Sequence, residues 1–357
     1  MGKLQQWYLQ AVKTCRPVVV DEQLLEVKVK KVQLMKLALL VTVAVMVFPL
    51  QAQTVLQVEP AFESLVAEDA KLEVISEDFT HSESPAIEGP VWVKDSKSVD
   101  GGYLLFSDRP RMQIAKWSPG MGMTQGYDLN SVLGKQQEGA SPSSGIALDP
   151  QGRVVFCSGS MNAVVRIEKD GKATILAQLL NGNKFNRPND LTIKSNGSIY
   201  FTDNSRDESG KMPPTVYLIK DGKVVPIIKD LVSPNGITLS PDEKVLYVND
   251  IRPRKVYRYD VLEDDTVANG TLFVDMNGYK EVGSNDGMKT DVQGNLYNSG
   301  PGGVWVLSPE GDLLGTIRTP DRITNLSFGG ADGKTLFLTG HVALFSIQLK
   351  VGGHLRP

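Results

Sequence analysis

Six polar residues, Glu88, Ser144, Asn189, Asn235, Asp286 and Asn325, stand at the heads of six similar segments. Each adjoins a short apolar stretch where Val or Leu would pack as well, so a side-chain oxygen is what these positions share. Carboxylate and amide oxygens that converge form a hard donor set, suited to calcium with its roughly six to eight oxygen ligands. Magnesium and manganese are alternatives on the same atoms. Zinc is a weaker one, because no His or Cys is among the six and zinc favours nitrogen and sulfur. One Asn or Asp before a strand is an ordinary turn residue; the repetition is what points to a cation.

The segments that position these residues read as one pattern written six times. They are "EGPVWVKDSKSVDGGYLLFSD" from Glu88, "SGIALDPQGRVVFCSG" from Ser144, "NDLTIKSNGSIYFTDN" from Asn189, "NGITLSPDEKVLYVND" from Asn235, "DGMKTDVQGNLYNSG" from Asp286 and "NLSFGGADGKTLFLTG" from Asn325. Each is a polar residue, a short strand, a turn rich in Asp, Gly or Pro, and a second apolar strand, which is a β-hairpin. Start-to-start spacings of 56, 45, 46, 51 and 39 residues leave room for two further strands per unit. "AVVRIEKDGKATILA", "TVYLIKDGKVVPIIK", "KVYRYDV" and "GVWVLSPEGDLLGTI" supply them. The expectation is therefore an all-β protein, a six-bladed β-propeller with four-stranded blades over residues 71–349. In that fold the innermost strands line a central channel, and the six residues form a ring. "KLEVISEDF", Lys71 to Phe79, is expected to complete the last blade beside "ALFSIQL", so that no sheet edge stays free at the seam. Residues 53–70 read as a linker and 350–357 as a tail.

The 38 Lys and Arg against 41 Asp and Glu, net −3, give no extended positive field, so nucleic acid is not an expected partner. The two cysteines, Cys15 and Cys157, are too few for a disulfide framework, and Cys157 reads as a small buried hydrophobe. "MKLALLVTVAVMVFPLQAQ", Met35 to Gln53, has a lysine, a 14-residue apolar run and a small-residue ending. The run is short for a membrane span of roughly 18 to 20 residues, so it reads as a signal peptide (core 35–52) cleaved near Ala52. A periplasmic or secreted protein without a stable membrane span is expected, with an N-terminal anchor as the alternative. Residues 1–34 would make a long leader, and Met35-Lys36 resembles an ordinary signal-peptide start, so translation from Met35 is expected.

The segments "IEGPVW", "RPNDL", "SPNGITLSPDEKVLYVND", "SNDGMKTDVQGNLY", "GGVWVLSPEGDLLGTI" and "TNLSFGG" resemble the signature stretches of the senescence marker protein/gluconolactonase family, which includes regucalcin. The resemblance runs from about Glu88 to Ile347. It implies a six-bladed propeller hydrolase, similar in architecture to paraoxonases and diisopropyl fluorophosphatase. It also implies a metal site of Glu88 in "EGP", Asn189 in "RPND", Asn235 in "PNG" and Asp286 in "DGM". The implied reaction is hydrolysis of a small-molecule lactone by metal-activated water. Asp286 is metal ligand and catalytic base, with direct nucleophilic attack by Asp286 as the alternative. A phosphotriesterase using the same metal, or a non-catalytic calcium-stabilised propeller that binds a sugar or protein, are the competing readings.

The family's "ARFNDG" is "ASPSSG" here, so Ser141 and Ser143 replace an arginine and an asparagine that grip sugar hydroxyls. Ser141, Ser143, Ser144 and Asn325 are the expected substrate contacts. Asp190 reads as a support for Asn189 or as a turn residue. Asp108, Asp203 and Asp250 recur after second strands and read as structural caps. His81, His341 and His354 fall outside the ring, and no Ser-His-Asp pattern supports a triad. Met121, Met123, Met161 and Met212 read as core or loop residues, or as an apolar pocket lining.

Overall fold

All six first hairpins turn by the same device. Asp95, Asp149, Asn196, Asp242, Asp291 and Asp332 each accept, through a side-chain oxygen, the backbone N–H two residues ahead, at 2.8 to 3.2 Å. Such a side chain mimics a turn's own backbone bond, which is why Asp and Asn punctuate the repeat. In the computed structural model, which describes residues 54–77, 79, 87–137, 140–204 and 212–355, these hairpins become the inner halves of six blades. The signal segment 35–52, residues 1–34 and His81 lie outside the described residues.

Blade 1 comprises Ile87–Lys94, Gly102–Asp108, Gln113–Ser118 and Gly122–Asp128, paired antiparallel in chain order. Blade 2 runs Ile146–Leu148, Val154–Ser158, Ala163–Ile167 and Ala173–Ala177. Blade 3 runs Pro188–Ile193, Ile199–Asp203, Thr215–Lys220 and Lys223–Ile228. Blade 4 runs Pro234–Leu239, Val245–Asp250, Lys255–Val261 and Val267–Asp275. Blade 5 has Met288–Thr290, Leu296–Gly300, Gly303–Leu307 and Leu313–Arg318. Blade 6 has only three strands from its own region, Ile323–Gly329, Thr335–Gly340 and Leu344–Gln348. Its fourth is Leu72–Ser76, which pairs Leu72 with Ile347 and Val74 with Phe345. The chain thus closes its own ring.

The core is divided between the blades. Six apolar clusters fill the six interfaces, because alternate residues of each strand face opposite neighbours. In blade 5, Leu296 packs toward blade 4 and Tyr297 toward blade 6. At the seam, Trp92 of blade 1 stacks on Phe337 of blade 6 with centroids 5.3 Å apart. Cys157 is buried in the interface between blades 2 and 3, and that burial raises its thiol well above the usual range.

Two terminal stretches depart from expectation. Residues 53–70 are no linker: Val55–Gln57 adds a fifth strand to blade 5, pairing with Arg318's neighbours Ile317, Thr316 and Gly315. Pro60–Ser64 follows as a single 3-10 turn, and Phe62, Leu65 and Val66 are buried against blades 5 and 6. Their apolar side chains have a core to fill, which composition alone did not show. The tail likewise packs: Val292 N–H donates to Gly352 at 3.0 Å and His354 N–H to Thr290 at 3.0 Å, at the hairpin-turn end of the propeller. Among the described residues no helix is long and apolar enough to cross a membrane.

Candidate metal centre and substrate cavity

The inner strands do not run straight to the channel mouth. Pairing between first and second strands skips between Glu88 and Val91, between Pro188 and Leu191, between Pro234 and Ile237, and between Ile323 and Asn325. A skip of this kind is a bulge, which releases residues from the ladder and re-aims their side chains. Here the released or bordering residues include four of the predicted ring, Glu88, Asn189, Asn235 and Asn325, while Ser144 and Asp286 stand two residues before their first strands.

Second strands then brace the ring of the next blade. Ser107 Oγ donates to the Ser144 carbonyl at 2.7 Å, Thr202 Oγ1 to the Asn235 carbonyl at 2.7 Å, and Asn249 Nδ2 to the Asp286 carbonyl. Thr324 Oγ1 donates to the Ile87 carbonyl, 2.9 Å away, across the closing seam. Close approach is possible because glycine follows four of the six ring residues. A Cβ on Gly236 would lie 1.9 Å from the Asp286 carbonyl oxygen, and one on Gly145 would lie 2.2 Å from Asp190 Oδ1.

The structure brings Glu88, Asn189, Asn235 and Asp286, from blades 1, 3, 4 and 5, to the lining of one open cavity of about 480 Å³. Glu88 and Asp286 are only 4% and 7% exposed, so two carboxylates share a site that water reaches poorly. Burial first, and then the negative charge of Glu88, push the Asp286 carboxyl up to about 7; Arg322 and Arg109 pull against this. Arg322 Nη2 donates to Asp286 Oδ2 at 3.0 Å. The side chains of Asn189 and Asn235 make no hydrogen bond among the described residues, although Asn235 is buried. One buried and one half-buried amide without partners, with two crowded carboxylates, fit a hard divalent cation, which would satisfy all four at once.

The remaining predicted contacts are placed differently. Asn325 is not at the substrate face: it is 1% exposed, and its Nδ2 donates to Glu88 Oε1 at 2.9 Å and Asp190 Oδ2 at 3.2 Å. It therefore positions Glu88 from below. Asp190, also buried, accepts that bond and the Leu191 N–H at 2.9 Å. Burial raises its carboxyl to about 6, with Lys289 opposing and Glu88 adding to the rise. It is a support beneath the site and outside the cavity lining. Ser143 is fully buried and offers only its carbonyl, to Arg109 Nε at 3.4 Å. Ser144 Oγ accepts Arg109 Nη2 at 2.9 Å. Ser141 lines a neighbouring cleft with Gln136, Ser160 and Arg187. None of the three serines is among the residues lining the cavity: Arg109 takes the Ser144 hydroxyl, and the Ser143 hydroxyl is buried.

Sequence reasoning passed over Arg109, Arg187, Arg252, Arg322 and Asn204, all of which line the cavity. Only a faint signal existed: each lies within a few residues of a strand end on the mouth side. Asp203 and Asp250 act as the expected caps, each accepting two backbone N–H groups from the approach to its blade's first strand, at 2.6 to 3.0 Å. Asp108 accepts the Arg111 backbone N–H at 3.3 Å and the Arg111 and Gln113 side chains, all beyond its own strand. His341 and the four singled-out methionines stay out of the cavity lining; Met121 is exposed and Met212 belongs to the core.

Residues 87–342 match the family described as the SMP-30/Gluconolactonase/LRE-like region. A gluconolactonase of Zymomonas mobilis is 31% identical over 319 residues, covering 82% of this chain and 85% of its own. A solved gluconolactonase of Xanthomonas campestris superposes with a TM-score of 0.68 at 26% identity, over 83% of this chain and 94% of that one. Regucalcin of Agrobacterium tumefaciens, described as a calcium-binding protein, shares the fold at a TM-score of 0.64 and 20% identity, over 81% and 97%. Since the matched span takes in blades 1 to 5, the two inner strands of blade 6 and every residue of the cation-suited quartet, the chain belongs to the SMP-30/gluconolactonase/LRE-like family.

Proposed function

We propose that the protein is a lactone hydrolase dependent on a divalent cation, calcium first, held by Glu88, Asn189, Asn235 and Asp286. The convergence of these four side chains from four blades into one cavity carries the reading, and similarity to gluconolactonases supports the reaction class. When bound, the cation would polarise the lactone carbonyl and ease deprotonation of water.

The protein's own residues supply the rest. Asp286 accepts the proton of the attacking water, as the general base of the ring opening. Its buried position makes it proton-avid, while Arg322 at 3.0 Å fixes its orientation and keeps the ionised form accessible. Asn325, bonded to Glu88, holds that carboxylate's rotamer without touching substrate. Opening the ester yields a hydroxy acid and needs no cofactor beyond the ion. Export after cleavage near Ala52 belongs to the same proposal, and N-terminal sequencing of the exported protein tests it.

Proton release from a panel of aldonolactones, aliphatic lactones, aryl esters and phosphotriesters is the direct measurement, with and without chelator. Asp286→Ala should lower turnover by about 10² to 10⁴, and chelation should abolish it until calcium is restored. Undiminished turnover in either case would remove this mechanism. Tight calcium binding with no turnover on any substrate would favour a non-catalytic propeller, and preference for the phosphotriesters a phosphotriesterase.

A further inference from the structure

The cavity that holds the proposed cation site is lined by four guanidinium groups, Arg109, Arg187, Arg252 and Arg322, and, among the described lining residues, by only two carboxylates. Both carboxylates belong to the cation quartet. A neutral sugar lactone carries hydroxyls, each of which brings an O–H that needs an acceptor as well as lone pairs that can take a donor. This cavity offers few acceptors once its ion is bound. The oxygens of Glu88, Asp286, Asn189 and Asn235 would be engaged by the cation, and Asn204 Oδ1 already accepts Ser233 Oγ at 2.7 Å. What remains is donors: Arg322 Nε and Ser284 Oγ are buried without a hydrogen-bond partner, on two residues of the same lining. Arg252 is exposed at the mouth and makes no ion pair or hydrogen bond among the described residues.

Charge-assisted bonds from guanidinium to carboxylate or phosphate are the strong, geometrically matched use of such donors. We propose that the substrate is an acidic lactone, one whose ring carries a second anionic group, carboxylate or phosphate, bound on the Arg187–Arg252 side of the cavity opposite Glu88. The proposal rests on the lactone-hydrolase reading and narrows its substrate class.

The test compares three lactones of one ring, ending in hydroxymethyl, carboxylate or phosphate ester, by proton release with the full chain. Expected is a kcat/KM at least tenfold higher for an acidic lactone than for the neutral one, a preference that shrinks as salt is raised. The acid that leads identifies the anionic group. Arg252→Gln should cut the acidic-to-neutral ratio about tenfold and Arg252→Lys should restore most of it, with unfolding temperatures confirming that both variants fold. A ratio near one, or a ratio that Arg252→Gln leaves unchanged, overturns the proposal. If no lactone is opened, the hydrolase reading fails on its own, and calorimetric titration of an open-chain hydroxy diacid against the matching monoacid decides the anion site. Tighter binding of the diacid, lost in Arg252→Gln, upholds it; equal or absent binding overturns it.

Discussion

Asp286 sits between opposing influences, and their balance can be read as a pH profile. Burial and Glu88 drive its carboxyl toward 7, while the guanidinium of Arg322 at 3.0 Å draws it down. In the metal-free protein the ionised fraction of Asp286 falls as pH drops through that carboxyl's pKa. Arg322→Gln removes the opposing charge, so the metal-free carboxyl should titrate at higher pH, read by NMR, and calcium binding should weaken at a higher pH than in wild type. An unmoved titration would mean that Arg322 does not control this carboxyl. At this scale the sequence was informative about which oxygens recur, but silent about neighbours. Asn325 occupies a ring position as Asn235 does, yet it faces Glu88 and Asp190 and has no open space in front of it. Nothing in the type or spacing of the two asparagines separates them.

Between blades, contact is made by backbone as much as by side chain. Gly236 allows the Asp286 carbonyl to lie where a Cβ would need to be, and Asn249 bonds that same carbonyl. Gly236→Ala should therefore cost about 1–3 kcal/mol in chemical unfolding. It should also weaken calcium affinity, since the displaced backbone carries a ligand. A thermal shift without a change in calcium titration would show that the strain is absorbed elsewhere. A second element-level tie is Asp265, which joins the outer turn of blade 4 to the first hairpin of blade 3. Burial alone would raise its carboxyl, but Lys194 at 2.5 Å, Lys220 at 2.7 Å, Asn196 and Ser198 overcome that and hold it well below the ordinary range. A lowered folded-state pKa adds stability that is present above the unfolded value, about 3.9, and lost as pH falls below it. Stability should thus decline in acid, and Asp265→Asn should remove roughly 3 kcal/mol at pH 7, the low end for a broken buried pair because Lys220 is a third exposed. Equal urea midpoints for variant and wild type at pH 7 would contradict this. The hairpins themselves were legible, since Asx turns and period-two alternation are local; the bulges that re-aim Asn189 and Asn235 were not, because a skip in register exists only relative to a partner strand.

Closure is a property of the whole molecule. Leu72–Ser76 supplies blade 6 with its outer strand, and the segment before it buries Phe62 against blades 5 and 6. Phe62→Ala should lower stability by about 3–5 kcal/mol. Removal of residues up to Ser76 should bare the Leu344–Gln348 edge and produce aggregation on size exclusion. A monomeric, equally stable truncation would show that the ring does not need its N-terminal clasp. The sequence by itself determined the blade count, the hairpin grammar and the polar heads of the inner strands, because these repeat at short range and each copy confirms the others. It also marked "KLEVISEDF" for the last blade, since blade 6 is one strand short in its own region. The tertiary structure alone decided which heads share a cavity, which are buried beneath it, and that four arginines from separate blades surround them. Those arginines share only a loose register, Arg187 and Arg322 just before first strands and Arg109 and Arg252 just after second ones. Their common address is a point in space where blades far apart in the chain meet, and charge and burial there depend on distances that no linear spacing encodes.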